Sequence, residues 1–173
     1  MVRDNHFKDQ DVIKPSEQSI SEGKEVKIVR TFNAPKKLLY KAFIDPIYLQ
    51  RWWGSYYCQE SVCKVDPKVG GKIFITMTMK GGMEVRLEGE FYELIENEKI
   101  IFTTGTVGES NKDFEVMNLH TVVFKEEEGK TDLVLTVKMI KSPKIRAESA
   151  FQGMVRGWPE SLNKLEELIK SGF

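Results

Sequence analysis

Three side chains with chemistry near neutral pH stand in the patterned part of this sequence: the imidazole of His120 and the thiols of Cys58 and Cys63. A histidine that works as a general base sits in a cleft beside its proton source, with a displaced pKa. Strict alternation groups His120 with Asn118, against Met117, Leu119, Thr121 and Val123, and so predicts a solvated histidine on an outer face. The C-x4-C spacing of Cys58 and Cys63 has no second cysteine pair, and the remaining histidine, His6, lies far away in the chain. Tetrahedral zinc needs about four ligands gathered closely, so two reduced thiols and no metal are expected. Carboxylates cluster at Glu84, Glu88, Glu90 and Glu93 and again at Glu126, Glu127 and Glu128. Glu88 and Glu90 alternate outward beside Arg86 and opposite Lys72, where cross-strand charge pairing accounts for them. No nucleophile elbow, phosphate loop, zincin or dinucleotide fingerprint occurs. The expectation is therefore a protein with no catalytic constellation and no cofactor.

Methionine and aromatic residues offer a different chemistry. Met77, Met79, Met117, Met139 and Met154 fall on faces assigned to the sheet interior or to a covering helix, with Trp53, Phe91, Phe151 and Trp158. Thioether side chains are flexible and polarizable and adapt to ligands of varied shape. These nine, with Thr121, form the predicted ligand-binding set. Of Trp52 and Trp53, the second is expected to point inward. A reaction inside the same space would need polar groups there, and Thr103, Thr121 and Tyr40 are the candidates.

The elements that must position these residues follow from period and punctuation. Residues 1–23 are polar and punctuated by Pro15, Ser16, Ser19, Ser21 and Gly23, which reads as a loosely ordered extension. Glu25 to Phe32 alternates as a strand. Asn33-Ala34-Pro35 and Asp45-Pro46 then open two short helices, the second closed by Gly54. From there to about residue 140 the period is two, giving a meander of five or more strands with turns at Asp66 to Gly71, Gly81-Gly82, Glu96 to Glu98 and Glu126 to Lys130. Gly89 is expected to mark a bulge or bend. Lys144 to Ser171 changes to a helical period, with Ala147, Ala150, Phe151, Met154, Trp158, Leu162, Leu165, Leu168 and Ile169 in one stripe. Pro159 should kink that helix, and Glu160 with Lys164 and Glu166 with Lys170 suit its solvent face. A curved antiparallel sheet with the helices on its concave side buries every apolar face at once.

Lysine plus arginine balances aspartate plus glutamate at 26 each, so no global field favours nucleic acid or an anionic membrane. No stretch of ~18 apolar residues occurs, and no leader-like segment opens the chain. A cytoplasmic protein without a membrane span is expected.

The sequence resembles the helix-grip superfamily (START-like, Bet v 1-like, SRPBCC), and within it the proteins similar to the C-terminal domain of the activator of the Hsp90 ATPase. The resemblance rests on Thr31-Phe32-Asn33-Ala34-Pro35; Ala42 to Pro46 with Leu49 and Arg51-Trp52-Trp53-Gly54; Asp66 to Lys72; Leu87-Glu88-Gly89-Glu90; and Gly157-Trp158 with Leu162 and Leu165. It covers about residues 24 to 170. It implies an α+β helix-grip fold, with a curved antiparallel sheet wrapped around a long C-terminal helix and two short helices after the first strand. It also implies a cavity between sheet and helix for a hydrophobic small molecule or lipid-like ligand, so residues 24–173 are expected to form one ligand-binding domain behind the 1–23 extension. The superfamily hosts co-chaperones and cyclase-type enzymes as well. A chaperone partner and a polyketide cyclase or dehydratase activity therefore stand as alternatives.

Overall fold

The computed structural model describes residues 24–108 and 114–173; the extension expected over 1–23 lies outside the described residues. Strand β1 (Glu25–Phe32) leads into helices α1 (Lys36–Ile44) and α2 (Pro46–Trp52). Strands β2 (Cys58–Val65), β3 (Lys72–Met79), β4 (Glu84–Ile95), β5 (Lys99–Val107), β6 (Phe114–Glu127) and β7 (Lys130–Lys141) follow, and helix α3 (Lys144–Ser171) ends the chain.

The seven strands make one antiparallel sheet in the order β1-β7-β6-β5-β4-β3-β2. It curls as a half-barrel with the helices on its concave side. Leu162, Leu165 and Leu168 of α3 meet Phe32, Ile75, Leu133 and Leu135 of the sheet in the main core. The α+β helix-grip architecture expected from the sequence is the one found.

The short helices form where their caps dictate. Asp45 closes α1 by donating its backbone N–H to the Lys41 carbonyl, and its carboxylate accepts from the Ile47 N–H at 3.0 Å to open α2. Pro46 fits the first turn of α2, where no N–H is required. Gly54 then turns the chain at φ +98°, and a Cβ there would lie 2.9 Å from the Cys58 Cβ. Only glycine meets both demands.

Strand β2 is the one strand not delimited individually in the meander of five or more strands expected after the short helices. Its inward residues are Ser61 and Cys63, while Val62 is exposed on the other side. The hydropathy pattern of this edge strand is thus inverted, and period alone does not reveal it. Gly89 serves a close approach: a Cβ there would stand 1.8 Å from the Thr103 carbonyl oxygen of β5.

Helix α3 runs unbroken for 28 residues through Pro159. The Glu166–Lys170 pair forms as expected, at 3.6 Å. Glu160 and Lys164 are turned instead toward the segment after α2. Glu160 accepts from the Tyr56 N–H at 2.9 Å, and Lys164 Nζ donates to the Trp53 carbonyl at 3.3 Å.

Candidate functional site

The inner face of the sheet is set by the β6–β7 hairpin. Glu127 pairs with Lys130 across a two-residue loop whose residues, Glu128 (φ 50°) and Gly129 (φ 75°), are both left-handed, as this tight hairpin turn requires. That register places Asn118 opposite Met139, His120 opposite Val137 and Val122 opposite Leu135. Directly opposed residues share a face, and Leu135, Val137 and Met139 are buried. Asn118, His120 and Val122 therefore point inward. This corrects the outer-face expectation for His120, which is 1% exposed. It equally moves Thr121 to the opposite face from the one expected; Met117, where the β6–β7 register shifts, is placed there too by its β5 partner Gly105, which opposes the exposed Glu88. Both alternating sets of β6 contain apolar residues, so hydropathy did not separate them. The hairpin length does, because a two-residue loop pairs each odd position of β7 with an even one of β6.

His120 lies in an aromatic nest. Its ring stacks on Phe102 at 4.4 Å, 6° from parallel, and meets Trp158 at 5.4 Å and Trp53 at 6.3 Å. Burial pushes its imidazole down to about 3, against a smaller upward pull from the Phe102 backbone. It is a neutral ring at physiological pH. Its Nδ1 and the Asn118 Oδ1 are buried atoms without a hydrogen-bond partner.

Between the sheet and the first half of α3 lies a cavity of about 330 Å³, lined by Asn118 but not by His120. Trp53 and Trp158 wall one end, packed edge to face at 5.1 Å. Met77, Met79, Val85 and Leu87 form the side supplied by β3 and β4, and Ala150, Gly153, Met154 and Gly157 form the helical roof. Among the described residues, its polar groups are few: Ser55, Thr106, Asn118 and Ser161.

Of the ten residues expected at the site, Trp53, Met77, Met79, Met154 and Trp158 line this cavity. Met139 packs with Val116 and Ala147 in a small second cluster, with Phe151 partly buried against it. Phe91 belongs to the main core, 6.1 Å from Phe102. Met117 and Thr121 are on the far face of β6. Trp53 rather than Trp52 faces the cavity. Trp52 is wholly buried, 4.7 Å from Phe43, with Nε1 donating to the Ala42 carbonyl at 3.0 Å.

None of the three polar candidates lines the cavity. Thr103 donates to the Tyr92 phenol on the outer side, and Tyr40 packs edge-on against Phe124 at 6.0 Å. Asn118, missed by pattern reading, takes the place they were expected to fill. The thiols are separate: Cys58 Sγ is 3.2 Å from Ser61 Oγ, and burial pushes the Cys63 thiol up to about 12, where it is no nucleophile. Among the described residues no group of three or more histidine, cysteine or acidic side chains could hold a metal. No described helix is long and apolar enough to cross a membrane.

A curled antiparallel sheet gripping a long C-terminal helix over an apolar cavity defines a helix-grip protein of the SRPBCC type. Residues 33–170 match the family described as Activator of Hsp90 ATPase homolog 1-like protein, and the chain belongs to that family. Solved structures share the fold. A protein from Nitrosomonas europaea is 21% identical over 86% of this chain and 96% of its own, with a TM-score of 0.71. One from Arthrobacter aurescens is 23% identical over 85% and 86%, with a TM-score of 0.73. One from Mycobacterium smegmatis is 20% identical over 90% and 96%, with a TM-score of 0.72. No curated protein matches.

Proposed function

We propose that the protein binds a hydrophobic small molecule or lipid-like ligand in the cavity between the sheet and the first half of α3. The observation that carries this reading is the cavity itself, about 330 Å³ and walled by two tryptophans and three methionines. That volume is within the range of small-molecule sites, which are mostly apolar with a few placed polar groups. Burial of apolar ligand surface, at ~25 cal/mol per Å², supplies the driving force. Membership in a family whose fold accommodates such ligands is compatible with it.

Native mass spectrometry of the protein purified from its own cells tests the reading. A bound small-molecule adduct is expected, together with displaceable binding of an apolar fluorophore. Ligand-free protein that also fails to bind the fluorophore would sink it. Action on an Hsp90-type chaperone is a second reading, favoured by the family description. Its test is stimulation of such an ATPase by the purified chain.

A further inference from the structure

The polar end of the cavity defines the kind of ligand more narrowly. Asn118 lines the cavity, and its Oδ1 is buried with no hydrogen-bond partner in the protein. His120 is two residues along the same strand and face, and its Nδ1 is likewise unpartnered. A buried polar atom left unpaired is destabilising, and one carried by a residue that lines an apolar cavity, as Asn118 does, marks a place where an outside group completes the bonding. Among the described residues, no charged side chain lines the cavity. The Lys164 ammonium is engaged by the Trp53 carbonyl at 3.3 Å. A carboxylate or ammonium seated here would find no counter-charge among the described residues, which is strongly unfavourable for a buried ion. A hydroxyl fits, because it can donate to the Asn118 carbonyl oxygen or accept from the Asn118 amide while remaining neutral.

We infer that the cavity selects an uncharged apolar compound bearing a hydroxyl group, a phenol or an alcohol, whose hydroxyl hydrogen-bonds the Asn118 side chain beside His120. This rests on the ligand-binding reading above. Naphthalene, 2-naphthol and 2-naphthoate share one apolar body and differ in the polar group, so calorimetric titration of the full chain at neutral pH with the three separates the terms. The expected order is 2-naphthol tightest, by roughly tenfold over naphthalene, as one net hydrogen bond implies, with 2-naphthoate weakest. Asn118→Leu should bring the ratio of 2-naphthol to naphthalene close to one.

Equal wild-type affinities for naphthalene and 2-naphthol would mean that water satisfies Asn118, and would overturn the inference while leaving apolar binding intact. Tighter binding of 2-naphthoate than of 2-naphthol would overturn it as well. No binding of any of the three overturns both the inference and the proposed function. The wild-type ratios decide the matter even if the variant does not fold.

Discussion

The two halves of α3 do different work. From Trp158 onward the helix is bound into the main core: Leu162 and Leu165 are wholly buried and Leu168 nearly so. Its flank is tied by Arg30 to Asn163 at 2.6 Å, Asn163 to the Tyr56 hydroxyl at 2.8 Å, and Glu160 to the Tyr56 backbone at 2.9 Å. Before Gly157 only Ala147 is buried, while Ile145 is 91% and Val155 41% exposed. That half is held by a small cluster with Val116 and Met139, and by Lys24, which pairs with Glu148 and lies 5.0 Å over the Phe151 ring. The cavity is under the weakly packed half. One helix thus serves as a core element at one end and as the roof of a site at the other.

The comparison breaks most visibly in a pair of truncations. Leu165→Ala should destabilise by about 2 to 5 kcal/mol, the range for a buried leucine. Phe151→Ala removes a larger side chain but one only partly buried, and should cost less than about 2 kcal/mol. Urea unfolding midpoints measure both, and an equal or larger loss from Phe151→Ala would show that the two halves are equally integral.

His120 sits where the halves meet, against Trp158, and gives the next largest effect. Its folded-state pKa is lowered to about 3 from the ordinary 6.5. The unfolded chain therefore takes up the proton first as pH falls. The contribution of a neutral buried ring is full above pH 6.5 and is lost progressively below it, at up to ~1.4 kcal/mol per pH unit, until the folded state itself titrates. His120→Phe keeps the aromatic volume and removes the titration. The stability difference between wild type and variant, followed by denaturant unfolding from pH 7 to pH 4, should swing toward the variant as pH falls. A constant difference would mean that the ring is not held neutral by burial.

How much of this was legible in the sequence differs between the same two regions. The stripe of α3, the short-helix caps at Asp45-Pro46 and the inward set of β7 follow from spacing alone, because each involves one element and its own period. The floor of the site does not, because it depends on the relation between elements. Asn118 and His120 are polar and occupy an inward face that hydropathy awards to Met117 and Leu119. Only the Glu128-Gly129 turn, through the pairing it imposes on β6 and β7, assigns them correctly. β2 was obscured for a related reason, since its buried residues are Ser61 and Cys63 while the apolar Val62 is exposed. Mixed or polar inner faces are a feature of sites rather than of cores.

Hydrogen exchange sharpens the comparison at the level of single amides. Amides of residues 150–155 should exchange through local openings at least about tenfold faster than those of residues 162–168, which should follow global unfolding. A bound ligand should slow the first group and leave the second unchanged at low denaturant. Uniform protection along α3 would contradict a roof held more loosely than the core.

The smallest expected effect has the opposite sign and concerns Gly153 alone. Glycine inside a helix lowers its stability relative to alanine by about 0.8 to 1 kcal/mol, and a Cβ at Gly153 would meet nothing within 4 Å. Gly153→Ala should therefore stabilise by up to about 1 kcal/mol, read as a higher urea midpoint with an unchanged slope. If the roof must open for a ligand to enter, the same change should slow association of an apolar probe in stopped flow. A stiffer helix frays less often, even though the added methyl takes little of the cavity. A variant that gains stability yet admits the probe at the wild-type rate would place the entry route elsewhere, away from the first half of α3.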